Sequence, residues 1–416
     1  MAVEQFPGPE AFLTKGTLTT APGPLGDLTL SSNFQPILSL SHQRIVGFEA
    51  LLRAADKDGH AKAPLEVFRD IRGREEAAEV DKICLKMHMR NFIGWDTQGC
   101  WLFLNINPQS IEADERGLML LEAVEASSLP PHRIVVEILE AAMLDDRLLS
   151  KWVARCRALG CLIAIDDFGA GHSNFDRIFR LHPDIVKIDR TLVEEAAANK
   201  EVGAIIPGMV SLLHQSGALV VMEGIETQQQ AMIAMSADAD FVQGYFFARP
   251  MPNPSHVSIP RFSSLFEQYQ AAAAREEADF KTAIGAYVNA VGYSSVLLQG
   301  KRPFEVACRG FLELPRAERC YLLDGNGMQI GASCVASAAT QTDNQTYGPL
   351  SDAHGANWSR RHYFRRAVSH PEKVQVSRPY LSIASAAPCV TASIAFKVDG
   401  KLRVLCGDIK ALAAQS

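Results

Sequence analysis

The 416-residue chain has no excess of positive charge, no long apolar stretch and no paired cysteines. Its 41 Lys and Arg are outnumbered by 47 Asp and Glu, for a net charge of −6, which argues against a protein that grips nucleic-acid polymers through their phosphates. No apolar run approaches the roughly 18 residues a spanning helix needs, so no membrane span is expected. The nine cysteines, Cys84, Cys100, Cys156, Cys161, Cys308, Cys320, Cys334, Cys389 and Cys406, are odd in number and irregular in spacing. That is the usage of reduced thiols in a cytoplasmic protein. The 11 histidines show no ligand-type pairing, which disfavours zinc. No glycine-rich phosphate loop follows the first strand-like segment, as an open dinucleotide-binding sheet would require. Residues 1–27 lack a basic n-region and an apolar h-region. They are expected to form a flexible tail and not a signal peptide.

The length suits two domains or three, and an apolar content of 47% with 21% charged residues is that of a globular protein. From about Leu28 to Pro252 short apolar runs alternate with helical patterns. The candidate strands are Asn33–Leu40, Ile45–Leu52, Trp101–Asn105, Ile134–Ile138, Leu162–Asp166, Ile185–Ile188, Leu219–Met222 and Phe241–Gly244. Helical periodicity marks Leu65–Phe92, Arg116–Ala126, Leu144–Leu159, Phe175–Leu181, Lys200–Ser216 and Thr227–Ser236. Strand–helix alternation predicts an α/β fold, and eight strands with polar groups at their ends fit a (β/α)8 barrel. After Pro250-Met-Pro-Asn-Pro254 the composition shifts. Phe262–Val291 reads as a long helix joining two domains. Beyond it, shorter β-type runs at Cys320–Leu323, Met328–Ile330, Val374–Val376, Thr391–Phe396 and Leu402–Cys406 suggest a smaller α+β domain, with Asp324-Gly-Asn-Gly327 as a turn.

The strand ends carry the chemistry. Phe48-Glu-Ala-Leu-Leu-Arg53, Leu104-Asn-Ile-Asn107, Val136-Glu-Ile-Leu-Glu140, Ile165-Asp-Asp-Phe-Gly169, Val186-Lys-Ile-Asp189, Met222-Glu-Gly-Ile-Glu-Thr227 and Val242-Gln-Gly-Tyr245 each close an apolar run with polar groups. On a barrel these converge at one rim. Glu49, Asn105, Glu137, Asp166, Asp167 and Glu223 would bring five carboxylates and an amide oxygen together, an arrangement that needs cations. All-oxygen donors select Mg2+ or Mn2+. Two such ions about 4 Å apart suit attack of water on a phosphodiester. Lys187 is assigned to orienting the water or holding a phosphate oxygen, with Asp189 able to hold Lys187 in place. Arg53 can fork onto a phosphate, and Gln35 and Gln243 offer amides.

These residues resemble the EAL-domain cyclic di-GMP phosphodiesterases, through Glu49-Ala-Leu51 and the six further signatures in order. The resemblance covers about Leu28–Pro254. It implies a TIM-type barrel with an antiparallel first strand, hydrolysis of cyclic di-GMP to linear pGpG, and a two-metal site at Glu49, Asn105, Glu137, Asp166, Asp167 and Glu223. It further implies catalytic roles for Lys187, Glu223, Gln243 and Glu49, and substrate contacts from Gln35, Leu52, Arg53, Asp189, Gln243 and Pro250. Asp167-Phe-Gly-Ala-Gly-His-Ser-Asn174 matches the family's flexible loop, anchored by Glu140 and linked to dimerisation, so a homodimer is expected. Departures are Ala170 and His172 for the usual Thr and Tyr, Leu139 for Thr, Met222 for Ala, and the segment Ala54–Ala63, which lacks the usual Trp-Arg-His-Pro. No Gly-Gly-Asp-Glu-Phe cyclase motif occurs.

Asn357-Trp-Ser-Arg-Arg-His-Tyr-Phe364, Ser377-Arg-Pro-Tyr-Leu-Ser382 and Val390-Thr-Ala-Ser393 resemble the pocket strands of Cache or PAS-like sensor domains, which gather an Arg, a Tyr and a late Asp (here Asp408) around a small ligand. The order of parts is similar to YkuI-type proteins: tail 1–27, barrel 28–256, helical linker 257–292, sensor 293–416. Two alternatives remain open from sequence. One is a cyclic di-GMP receptor that signals without cleaving. The other is an unrelated barrel hydrolase acting on another phosphoester.

Overall fold

The computed structural model describes residues 19–20, 28–69, 71, 73–95, 99–114, 117–140, 145–171, 175–254, 262–337, 353–382 and 387–410. It divides into two compact units, Met1–Gln270 and Ala271–Ser416.

The first unit is a closed barrel of β1 (Thr29–Ser39), β2 (Arg44–Ala55), β3 (Trp101–Asn105), β4 (Ile134–Leu139), β5 (Leu162–Phe168), β6 (Ile185–Ile188), β7 (Leu219–Met222) and β8 (Phe241–Val242). Neighbours from β2 round to β8 pair in parallel. β1 runs antiparallel to both β2 and β8 and closes the ring. The barrel with its antiparallel first strand is as expected from the sequence. Of the presumed tail, only Thr19–Thr20 lies within the described residues, paired to Thr29 and Leu30.

Strand periodicity sets the two layers of the core. Ile37, Phe103, Val135, Ala164, Ile185, Val221 and Phe241 point inward and fill the barrel floor. Their neighbours in sequence face the helices, where Leu104, Val136, Ile163 and Trp152 meet on one side and Val186, Val220, Val210 and Leu213 on the other.

Helix boundaries follow capping chemistry. Asp145 caps Asp146–Leu159 by accepting from the amides of Arg147 and Leu148, and Gly160 ends it in the left-handed conformation. Thr227 and Gln230 form a capping box on Gln228–Ser236. The pattern read as one helix over Leu65–Phe92 is two, Pro64–Arg69 and Arg74–Ile93, separated where Gly73 takes φ 117°. Arg190–Ala198, capped by Asp189, is a further helix that the apolar pattern did not disclose.

The helix Phe262–Gln299 is longer than expected and takes in Val296. Its Gly292-Tyr-Ser-Ser295 stretch does not break it, because the Ser294 and Ser295 hydroxyls donate back to the carbonyls of Ala290 and Gly292. The second unit is an antiparallel sheet built from β9 (Ala317–Asp324), β10 (Gln329–Val335), β11 (Gln375–Val376), β12 (Tyr380–Leu381), β13 (Pro388–Val398) and β14 (Lys401–Lys410). One face carries Val390, Ile394, Leu405 and Ile409 against Phe311. The other carries Ala395, Val404 and Cys406 against Tyr363 and Phe364. The Asp324–Gly327 turn forms as expected, with Asp324 Oδ1 accepting from the amides of Asn326 and Met328. No helix among the described residues is long and apolar enough to cross a membrane.

Gly244 permits a backbone approach that the barrel's closing segment requires. A Cβ there would lie 2.1 Å from the Ile225 carbonyl oxygen and 2.3 Å from its nitrogen. Both atoms are held by bonds to Gln243 and Phe246. Gly244→Ala should therefore cost about 3 kcal/mol or more, the upper end of overpacking. Chemical denaturation checks this, and a loss under about 1 kcal/mol would contradict it.

Candidate active site

Most polar groups at the mouth sit two residues from a floor residue, on the same strand or one place past its end. Asn105 follows Phe103, Glu137 follows Val135, Asp166 follows Ala164 and Lys187 follows Ile185. Glu223 and Gln243 follow Val221 and Phe241 in the same way, and on the reversed β1 Gln35 precedes Ile37. Glu49 follows Gly47, whose missing side chain leaves room for the Phe103 ring. Alternation thus lifts every one of these groups off an apolar floor onto the C-terminal rim. Register then brings them side by side, with Gln35 opposite Glu49 and Asn105 opposite Glu137.

Asp166 and Asp167 are consecutive, so a regular strand would aim them to opposite faces. The pairing of β5 with β6 shifts register between Ile165 and Phe168, and Asp167 takes φ 58°. The irregularity re-aims the second carboxylate, and Asp166, Asp167 and Glu223 bring carboxylate oxygens within 4.8 Å of one another.

Lys187 occupies the centre of this ring and is 1% exposed. Its Nζ lies 2.5 Å from Glu137 Oε1, 2.7 Å from Glu223 Oε1, 3.1 Å from Asp166 Oδ1 and 3.7 Å from Glu49 Oε2. Burial alone would discharge the amine, but the four surrounding carboxylates outweigh it and hold the ammonium well above its ordinary value. Burial, and then mutual repulsion, pushes Glu137 and Glu223 well above the carboxylate range despite Lys187. Asp167 is pushed up to about 6 by burial, then by Asp166 and Asp189. The amides tie the ring together: Asn105 Nδ2 donates to Glu49 Oε1 at 2.8 Å, and Gln243 Nε2 donates to Glu49 Oε2 at 2.6 Å and to Gln35 Oε1 at 3.2 Å.

Other expected residues are placed less uniformly. Arg53 shares the inward face of β2 with Glu49 by alternation, and its Nη1 donates to the Leu52 carbonyl at 2.8 Å. Leu52 itself, expected as a substrate contact, points the other way and packs with Leu30, Val67 and Val80. Asp189, expected to hold Lys187, lies one residue past β6 and is not among the ion partners of Lys187. It caps the next helix, accepting from Thr191 N at 2.8 Å. Glu140 Oε2 accepts from the Gly169 amide at 3.2 Å, at the start of the expected flexible loop, whose residues 172–174 lie outside the described residues. Pro250 is half-buried beside Met251, which bridges to Phe34 of β1. A cavity of about 200 Å³ opens over Glu49, Glu223, Gln35 and Gln243. It is also lined by Arg190, Glu226 and Tyr245, which were not among the expected site residues. Tyr245 is 47% exposed beneath the Arg249 guanidinium, 4.7 Å from its ring centre. Its place directly after Gln243-Gly244 was the available signal.

The donor set fits hard divalent cations. It consists of carboxylates and amide oxygens, and it carries more negative charge than Lys187 balances. Among the described residues, buried Glu137 Oε2 and Gln243 Oε1 have no hydrogen-bond partner.

Fold and site together define a (β/α)8-type barrel with an acidic, lysine-centred rim. The chain belongs to the EAL-domain family, whose model matches residues 25–250, more than half of the chain. It is 30% identical over 236 residues to the probable cyclic di-GMP phosphodiesterase PdeN of Escherichia coli K12, covering 53% of this chain and 43% of that one. It is 31% identical over 221 residues to the EAL-domain containing protein YkuI of Bacillus subtilis 168, covering 52% of this chain and 54% of that one. The chain thus spans about half the length of these curated relatives. The fold is similar to the crystal structure of B. subtilis YkuI in complex with c-di-GMP and calcium, with a TM-score of 0.77 at 22% identity over 98% of this chain and 100% of that one. A standalone EAL protein from Vibrio cholerae O395 in its c-di-GMP-bound form matches at TM-score 0.51 and 26% identity, over 57% of this chain and 98% of that one.

The raised Asp167 gives a pH signature. Because the folded chain keeps this proton up to about pH 6 while an unfolded aspartate loses it near pH 4, folding takes up a proton between the two. The contribution is therefore greatest at low pH and is lost as pH rises through 6. Asn removes the charge and tolerates the left-handed backbone. In EDTA, Asp167→Asn should be more stable than the native chain at pH 7 and equal to it near pH 4, by thermal denaturation. An equal difference at both pH values would contradict the reading.

Proposed function

We propose that this chain hydrolyses cyclic di-GMP to linear pGpG with Mg2+ or Mn2+ bound at Glu49, Asn105, Glu137, Asp166, Asp167 and Glu223. The reading includes a C-terminal sensory domain over about residues 293–416, a helical linker over 257–292, and a cytoplasmic homodimer. The observation that carries it is the ring of carboxylates around one buried ammonium. The EAL-family membership and the cyclic di-GMP complexes of YkuI and the Vibrio protein support the substrate.

In the reaction one ring P–O bond breaks, and water supplies hydroxyl to phosphorus and a proton to the departing 3′ oxygen. Bound divalent ions would supply an activated water and charge stabilisation at phosphorus. The protein's own groups do the rest. Lys187, kept charged by its four carboxylates, donates to the incoming water or a phosphate oxygen. Gln243, fixed through Glu49 and Gln35, offers its unpartnered Oε1 to a water proton. Arg53 lies on the face where a phosphate would sit, and Tyr245 offers an exposed ring for a guanine to stack on. Glu140 holds the loop that begins at Gly169.

Incubating the full chain with cyclic di-GMP and Mg2+ or Mn2+ should yield pGpG, and Glu49→Ala should lower turnover at least about 100-fold while the chain stays folded. Binding without turnover in the native chain would support a receptor instead. Near-normal turnover in the variant would remove the metal-ligand assignment.

A further inference from the structure

The opposite end of the barrel holds a cavity that the rim chemistry does not touch. Alternation builds its inner wall. Trp101 stands two residues before the floor residue Phe103, Leu219 two before Val221, and Ser39 two after Ile37 on the reversed β1. All three therefore belong to the N-terminal mouth, on the underside of the floor. The antiparallel β1 adds a feature that the other strands lack there. It joins β2 through a turn at residues 40–43 and not through a helix, and this hairpin brings His42 and Arg44 to the lining. The hollow measures about 410 Å³, within the range of about 300–1,000 Å³ usual for small-molecule sites. A close-packed barrel end would have filled it with side chains.

The lining joins an aromatic wall to unbalanced positive charge. Trp101 meets Phe103 and Phe241 nearly at right angles, with ring centres 6.4 and 5.8 Å away. An indole fixed in this way offers a ring surface that loses little freedom on binding. Leu219, in the same lining, is 39% exposed, apolar area that an occupant would take from water. Asp240 is the one acid among the lining residues, and it is engaged elsewhere: Oδ2 accepts from the Val220 amide at 2.8 Å and lies 2.8 Å from His214 Nε2. Arg44 has no such tie. Among the described residues no carboxylate lies within ion-pair distance of its guanidinium. The Ser39 hydroxyl lies 2.9 Å from His42 Nδ1, and when it donates there the ring's Nε2 is left as a donor. A cation would meet the Arg44 charge, and a neutral ring would gain nothing from it.

We infer that this cavity at the foot of the barrel binds an aromatic anion, its flat ring against Trp101 and its acidic group on Arg44 and His42. The inference does not depend on the activity proposed for the rim. A guanidinium forks onto a carboxylate or a phosphate alike, so the test includes both.

Isothermal titration of the full chain, in EDTA, uses 2-naphthoate and 2-naphthyl phosphate as probes, against tryptamine, 2-naphthol and acetate. At least one aromatic anion should bind saturably, and which one binds tells carboxylate from phosphate. Arg44→Gln should weaken that binding at least about 10-fold, the loss of one charge-assisted hydrogen bond. Leu219→Glu, which sets a negative charge in the wall, should weaken it by at least as much. Far-UV circular dichroism and melting check that the variants fold, and if Arg44→Gln does not, the Leu219→Glu result decides. Undiminished binding in either folded variant overturns the proposal, and so does failure of both aromatic anions to bind. Tryptamine, 2-naphthol or acetate binding as tightly as the aromatic anions overturns it as well, since the site would then select for neither charge nor ring.

Discussion

One ammonium group held among four carboxylates is the constraint on which the barrel's mouth depends. Taken singly, each of these acids at the end of a buried strand would be costly. Lys187 makes the cluster tolerable, and the cluster in turn keeps Lys187 charged at 1% exposure. The balance is incomplete. One positive charge faces Glu49, Glu137, Asp166 and Glu223, with Asp167 close by. Burial first, and then that deficit, holds Glu137 and Glu223 well above the carboxylate range. Divalent cations would meet the same deficit with charge that phosphoester chemistry can use.

The rest of the barrel serves this geometry. Its floor of Phe103, Val135, Ile185 and Val221 carries the polar layer and keeps it off solvent from below. The antiparallel β1 puts Gln35 opposite Glu49, so the amide pair Gln35–Gln243 closes the ring between the first and last strands. Gly47 and Gly244 are small where a ring and a backbone come close.

Much of this was legible in the sequence because barrel strands alternate strictly. An apolar residue followed two places on by an acid or amide, repeated strand after strand, identifies the rim and its order. Asn105, Glu137, Asp166, Glu223 and Gln243 could be named that way, and Glu49 and Lys187 by standing at the polar ends of the same apolar runs. What alternation could not supply lay where the chain departs from it. The convergence of Asp166 with Asp167 needs a register shift and a left-handed residue. Asp189 continues the period of β6 in sequence, yet the strand ends at Ile188 and the carboxylate caps a helix instead. Leu52 sits in a family motif but has the wrong parity to face the mouth, and its volume goes into the helix layer. Tyr245 and Arg190 reach the cavity from beyond the strands, where no period marks them. In the C-terminal unit the signatures around Trp358 and Tyr380 were visible. The pairing of Asp408 with Arg319 required coordinates.

The central claim is that the acidic ring is a divalent-cation site and not merely a salt-bridged barrel end. It is tested most directly by crystals of the full chain grown with Mn2+ and cyclic di-GMP, with anomalous data collected at the manganese edge. The account predicts anomalous peaks within coordination distance of Asp166, Asp167 and Glu223, at the mouth above Lys187. Manganese found only elsewhere, with the carboxylates still closed on Lys187 alone, would contradict it.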